Sequence, residues 1–169
     1  MNIISIPYSS GSFYVRPDTS LNRDSNDYFC PEEITELAAA VFIYAKAIKA
    51  GKCVSAKFAG RYYNTIGKGV QLVANNLIGD DACSWWLAHS LDNTTFLTSA
   101  EQPSEEVPAE YVEKINAAFE QASKYVSFRT GDYIAIEIEP RKIIAKGTPE
   151  QIQNNPEVIE AYLGKKKEG

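Results

Sequence analysis

Between Ala109 and Glu139 the chain changes from one hydrophobic period to another, and this change restricts the fold more than any other feature. Val112, Ile115, Phe119 and Ala122 recur at helical spacing, with Glu110, Glu113, Lys114 and Glu120 mostly on the other side. That pattern predicts an amphipathic helix over Ala109–Val126. Gly131-Asp132 ends the connection. Ile134, Ile136 and Ile138 then alternate with Tyr133, Ala135, Glu137 and Glu139, which predicts a strand over Tyr133–Glu139 with one buried and one solvated face. A long helix thus leads into a strand through a glycine turn, and the chain contains both element types.

The other elements are shorter. Ile3–Ile6, Phe13–Val15, Gly67–Val73 and Ile143–Ala145 read as strands. Asn22–Asn26 and Thr98–Val107 read as loops. Ser55–Tyr63 reads as a short helix, and Asp80–Ser90, with Trp85-Trp86-Leu87, as a short helix or turn in which at least one tryptophan is core. Pro31–Gly51 carries two conflicting signals. Ile34, Leu37, Val41, Ala45 and Ile48 sit at helical spacing after Pro31-Glu32-Glu33, whereas Val41-Phe42-Ile43-Tyr44 is a good strand core. Near the end, Thr148 caps a helix over Pro149–Leu163, with Pro149 at its first position, Gly164 after it and a break at Pro156.

The 169 residues are 44% hydrophobic and carry a formal net charge of −5. This balance disfavours a nucleic-acid partner, because phosphate binding needs clustered Lys and Arg. The basic run Lys165-Lys166-Lys167 reads as a solvated tail. The N-terminus lacks the basic lead of a signal peptide. No window reaches the ~18 apolar residues of a membrane helix, so no membrane partner is expected. Cys30, Cys53 and Cys83 have no paired spacing and read as free thiols in a reducing cytoplasm.

Four segments in order point to a known family. Lys57–Leu77, KFAGRYYNTIGKGVQLVANNL, is similar to KFAxRYYDxIGxGIDFTARDLQ. Val15–Leu21, VRPDTSL, is similar to FxKPDSAL. Trp85–Asp92, WWLAHSLD, is similar to PWxLAKxFD. Ser123–Ile134, SKYVSFRTGDYI, is similar to ISxFxTLxxGDLI. Together, across about 1–138, the chain resembles the fumarylacetoacetate hydrolase family. The resemblance implies an α+β fold, a mixed β-roll or sandwich of that family's C-terminal-domain type, truncated, with one long helix and a helical C-terminal tail. It also favours a strand over about 38–49. The domain would span 1–141, with a strand-helix tail over 142–169. The tail, KIIAKGTPEQIQNNPEVIEAYLG over Lys142–Gly164, resembles a second family, the C-terminal extension of ATP-binding subunits of branched-chain amino-acid transporters. No phosphate-cradling GxxxxGK[ST] loop accompanies it.

The chemistry carried by the first family departs from its pattern in this chain. Members hold Mg²⁺ or Mn²⁺ with a Glu-x-Glu pair and a later Asp. By resemblance these positions fall on Ala40, Phe42 and Gln71. A hard cation needs anionic oxygen to offset its dehydration, and methyl, phenyl and amide groups do not supply it. A lysine that binds substrate oxygens falls on His89. The His and Glu of a lid should lie near Ile6–Phe13, which contains neither. The Thr-Gly-Thr-Pro turn falls near Ile136, where the chain reads IEIEP.

The resemblance therefore implies a non-catalytic protein without a metal cofactor that acts in binding or assembly. It would form a homodimer or a heteromer with an active relative. Two alternatives stand beside this reading. One is a divergent hydrolase, decarboxylase or tautomerase of small keto acids, using His89 with Gln71, Glu137 or Asp92. The other is a small-ligand sensor, for which Arg61, Gln71 and His89 are the candidate binding residues. His89 also reads as a half-buried structural histidine beside two tryptophans, and Glu137 and Glu139 as the solvated face of their strand.

Overall fold

The computed structural model describes residues 1–23, 28, 30–97 and 100–163. The loop expected at Asn22–Asn26 lies mostly outside these residues, as do Thr98, Gly164 and the terminal lysines. The strands are β1 (Ile3–Ile6), β2 (Tyr14–Arg16), β3 (Glu36–Lys46), β4 (Thr65–Ala74), β5 (Thr95–Leu97), β6 (Gln102–Pro103), β7 (Tyr133–Glu137) and β8 (Lys142–Lys146). The helices are α1 (Ala56–Ala59), α2 (Ala82–Ala88), α3 (Ala109–Ser123), α4 (Pro149–Gln153) and α5 (Pro156–Leu163). The sheet order is β2-β1-β7-β3-β4-β5, with β6 on β4 and β8 on β3. The fold is α+β with a mixed sheet, as the resemblance implies.

The conflict over Pro31–Gly51 is decided for the strand. β3 pairs antiparallel with β7 from Phe42↔Glu137 to Lys46↔Tyr133. It also pairs with β8 from Glu36↔Lys146 to Ala39↔Lys142, with a register shift between Leu37 and Ala38. Two ladders on one eleven-residue strand outweigh a helical spacing that no partner would use.

The chain divides into two compact units. The first comprises Met1–Asp18, Phe42–Lys68 and Ala100–Glu139, and the second comprises the described residues of Thr19–Val41, Gly69–Ser99 and Pro140–Gly169.

In the first unit α3 turns Ile115, Ala118, Phe119 and Ala122 onto Ile4, Ile6, Ile43 and Ile134. Gly51 and Phe128 exchange two backbone hydrogen bonds of 3.1 Å. Tyr63 lies against Phe119 and donates to Asn116 Oδ1 at 2.8 Å. Burial pushes the Tyr63 phenol up to about 12, so it remains a neutral donor. Gly131 has φ +91, a region open to glycine, and turns the chain into β7.

β7 differs from expectation in one respect. It is parallel to β1 on one side and antiparallel to β3 on the other. Residues on both of its faces are buried, Glu137 among them, so that carboxylate is not solvated. The Glu137 carboxylate accepts from Tyr8 N–H at 3.1 Å. Residues expected to form a plain loop also pair, Gln102 with Ile66 and Pro103 with Thr65.

Gly67, in β4, faces the Tyr44 ring so closely that a Cβ would lie 2.6 Å from Tyr44 Cε1. Gly67→Ala should therefore cost about 1–3 kcal/mol through overpacking, measured as a lowered midpoint in urea unfolding. In a Tyr44→Ala background the cost of Gly67→Ala should shrink, because the ring it meets is gone.

In the second unit Leu37, Ala38, Leu72, Val73, Ala88, Phe96, Ala145 and Ile152 form the core. Glu36 accepts from the Asn75 amide and pairs with Lys146 at 3.1 Å, which ties β8 to the start of β3. Those two contacts, Asn75 first, hold the Glu36 carboxyl below the usual carboxylate range. The C-terminal helix is split, as Pro156 requires. Its first piece has a complete capping box: Thr148 Oγ1 accepts from Gln151 N–H at 3.3 Å, and Gln151 Oε1 accepts from Thr148 N–H at 2.9 Å. Among the described residues no helix is long and apolar enough to cross a membrane.

Candidate functional site

The two positions to which the resemblance assigns the Glu-x-Glu pair lie on β3, whose alternation puts Ala38, Ala40, Phe42 and Tyr44 on one face. All four are buried. Ala40 is fully enclosed in the second unit. Phe42 lies in the first, its ring 6.2 Å from that of Tyr44. Gln71 is buried in β4, in the stretch of that strand that pairs with β5. A methyl, a phenyl and one neutral amide do not fit a hard divalent cation. No step of chemistry can be routed through a metal held by them. Among the described residues, no group of three or more His, Cys, Asp and Glu side chains converges elsewhere.

His89 terminates α2. The helix begins where Asp81 Oδ1 accepts from Ser84 N–H at 2.9 Å, an N-cap that holds the Asp81 carboxyl below its ordinary range. Three positions into the helix comes Trp85, and one turn later His89, so the two rings stack at 3.7 Å and 19°. His89 is completely buried, not half-buried. Its Nδ1 lies 2.6 Å from the Trp85 carbonyl oxygen and its Nε2 lies 2.5 Å from Arg141 Nη1. A carbonyl can only accept and a guanidinium can only donate. The imidazole must therefore be neutral, with its proton on Nδ1 and its lone pair on Nε2 directed at Arg141. Arg141 also lies 6.0 Å over the Trp85 ring.

This geometry leaves His89 as a joint between α2 and the start of β8. A general base needs a lone pair facing substrate, and here that lone pair faces a cation. We expect ¹⁵N chemical shifts of His89 to show a protonated Nδ1 and an unprotonated Nε2 at neutral pH. The opposite tautomer would contradict the arrangement.

Arg61, the remaining candidate binding residue, is exposed beyond α1 in the first unit, with its guanidinium 4.7 Å over the Phe58 ring. Gln71 and His89 belong to the second unit. Tyr62 and Tyr63 follow α1 and pack on α3 through Phe119. Neither tryptophan is fully buried: Trp85 is partly exposed and Trp86 is 48% exposed, next to the equally open Leu87. An α2 of only seven residues cannot enclose two consecutive indoles.

Terminal Lys165–Lys167 is the sole basic run in the sequence, but the structure gathers a larger cationic cluster elsewhere. Lys46, Lys49, Lys52, Lys57 and Arg61 are all exposed, and Lys46–Arg61 contains no acidic residue. Their spacing of three to five residues hides them from a search for consecutive charges, whereas a count of signed charge per window would have found them.

Known structures resemble the whole fold. A Yersinia pestis CO92 protein assigned to the fumarylacetoacetate hydrolase family superposes with a TM-score of 0.70 at 12% identity, over 86% of this chain and 84% of the other. An Escherichia coli protein assigned as an isomerase gives 0.70 at 14% identity over the same shares. The 5-carboxymethyl-2-hydroxymuconate delta-isomerase of Mycobacterium smegmatis gives 0.70 at 14% identity, over 85% of this chain and 68% of the other. No curated protein matches in sequence. The profile of the branched-chain amino acid ATP-binding cassette transporter family matches residues 142–168, which include β8, α4 and α5. The chain therefore has the fold of the fumarylacetoacetate hydrolase family, joined to a C-terminal segment that is similar to a piece of an unrelated transporter subunit.

Proposed function

We propose that this protein uses the fumarylacetoacetate hydrolase fold for binding or assembly, without the metal-dependent chemistry expected at the positions of Ala40, Phe42 and Gln71. The observation that carries the proposal is the burial of those three side chains, which present no carboxylate. The orientation of His89 supports the same reading, since its lone pair is spent on Arg141. The partner is a second copy of the chain or an active relative with the same fold, and the setting is the cytoplasm. Calorimetric titration with Mg²⁺ and with Mn²⁺ tests the proposal. We expect no saturable heat; binding tighter than millimolar overturns it. Turnover of acylpyruvates or oxaloacetate that vanishes in His89→Ala would overturn it as well.

A further inference from the structure

Two segments of the first unit, 46–61 and 124–131, lie side by side. Gly51 and Phe128 exchange their backbone hydrogen bonds, Cys53 N–H donates to Ser123 O at 2.8 Å, and Gly131 N–H donates to Ala47 O at 2.8 Å. These bonds bring the segment that carries the exposed Lys124 and Arg129 beside the segment that carries the exposed Lys46, Lys49, Lys52, Lys57 and Arg61. Neither segment contains an acidic residue. Among the described residues, none of the seven cations makes an ion pair. The bordering carboxylates are engaged with backbone. Asp132 is buried and accepts from Asn2 N–H and Arg129 N–H, each at 2.8 Å, and Glu120 accepts from Ala56 N–H at 2.5 Å. Seven cations without an ion pair in two acid-free segments of a chain of net charge −5 are a local excess of positive charge that composition does not require.

The same two segments expose three large apolar side chains: Ile48 is 46% exposed, Phe58 43% and Tyr125 68%. Ile48 follows β3, Phe58 lies in α1 and Tyr125 follows α3, and cations lie beside the two rings. Lys57 Nζ lies 5.6 Å and Arg61 Cζ 4.7 Å from the Phe58 ring, and Lys124 Nζ lies 5.8 Å from the Tyr125 ring. With their ring faces already capped by cations, Phe58 and Tyr125 are poor stacking platforms for nucleotide bases, which disfavours a single-stranded nucleic acid. Apolar tips among lysines whose stems can extend match the boundary of an anionic bilayer, where the tips enter the acyl region and the amines remain among the headgroups.

We propose that these two segments dock the protein reversibly on an anionic lipid surface. That no described helix spans a membrane is no obstacle, because a peripheral contact needs only the local charge and the three apolar tips. The test is co-sedimentation of the full chain with phosphatidylcholine vesicles, with and without phosphatidylserine at about one part in three. Binding should require phosphatidylserine and weaken steeply as salt is raised. Lys49→Gln/Lys52→Gln/Lys57→Gln should lower the apparent affinity about a hundredfold, about fivefold per charge. Phe58→Ser should lower it without changing the salt dependence. All these positions are exposed, and circular dichroism with a melting curve checks that the variants remain folded. No sedimentation at low salt overturns the proposal, as does equal binding to pure phosphatidylcholine or unchanged binding by the triple variant. Retention on poly-glutamate without vesicle binding also overturns it, in favour of an acidic polypeptide partner.

Discussion

Ala40→Glu should remove about 3–5 kcal/mol of stability, a large part of the roughly 5–15 kcal/mol available to a domain. In an active relative of this fold, the resemblance would place a metal-ligating carboxylate at this position. Here the Ala40 methyl is fully enclosed on β3, and Ala38 and Phe42, its neighbours on that strand face, are also apolar. A carboxylate there would lose its hydration and gain no compensating cation. Burial disfavours the charged form, so the introduced carboxyl should have a raised pKa in the folded state. Its ionised form then opposes folding. Relative to the parent protein, the deficit should be small below the carboxylate range and grow as pH rises through it. Urea unfolding at several pH values measures this. Added Mg²⁺ supplies the decisive comparison. A filled core gives no rescue, whereas recovery of the lost stability at millimolar Mg²⁺ would reveal a latent metal pocket and defeat the reading of a lost site.

The features legible in the sequence were those with a local cause. The period change from α3 to β7, the cap at Thr148 and the break at Pro156 all act within a few residues, and all stand in the structure. β3 was ambiguous because its deciding partners, β7 and β8, lie about a hundred residues further along the chain. Glu137 was misplaced for the same reason: alternation predicts two faces but does not say whether the second is also covered. At His89 the neighbouring tryptophan is legible in the sequence but Arg141, more than fifty residues away, is not, and it is Arg141 that fixes the tautomer. The cationic segments are hard to see in the sequence because their charges are dispersed over two stretches that come together only in the fold, at the Gly51–Phe128 bridge and the Gly131–Ala47 hydrogen bond.

Phe119→Ala should have an effect of similar size, about 3–5 kcal/mol, because it empties the centre of the first unit. Phe119 is fully buried, lies parallel to Tyr63 with centroids 5.4 Å apart, and meets the Phe128 ring edge-on at 5.1 Å. None of these rings can refill the space without leaving its own contacts. Tyr63→Phe is the matched comparison: it removes only the hydrogen bond to Asn116 and should cost about 1 kcal/mol. A Phe119→Ala loss no larger than that of Tyr63→Phe would mean that α3 does not anchor the unit. The loss should also reach the surface. Tyr62, which packs against both Phe119 and Phe128, carries Lys49 Nζ 4.6 Å over its ring. Gly51, bonded to Phe128, has no room for even a methyl group between the Phe128 and Tyr62 rings. Amide hydrogen exchange at Ile48, Gly51 and Cys53 should therefore accelerate in Phe119→Ala more than exchange in β5 of the second unit. Uniform acceleration in both units would show instead that the two units unfold as one.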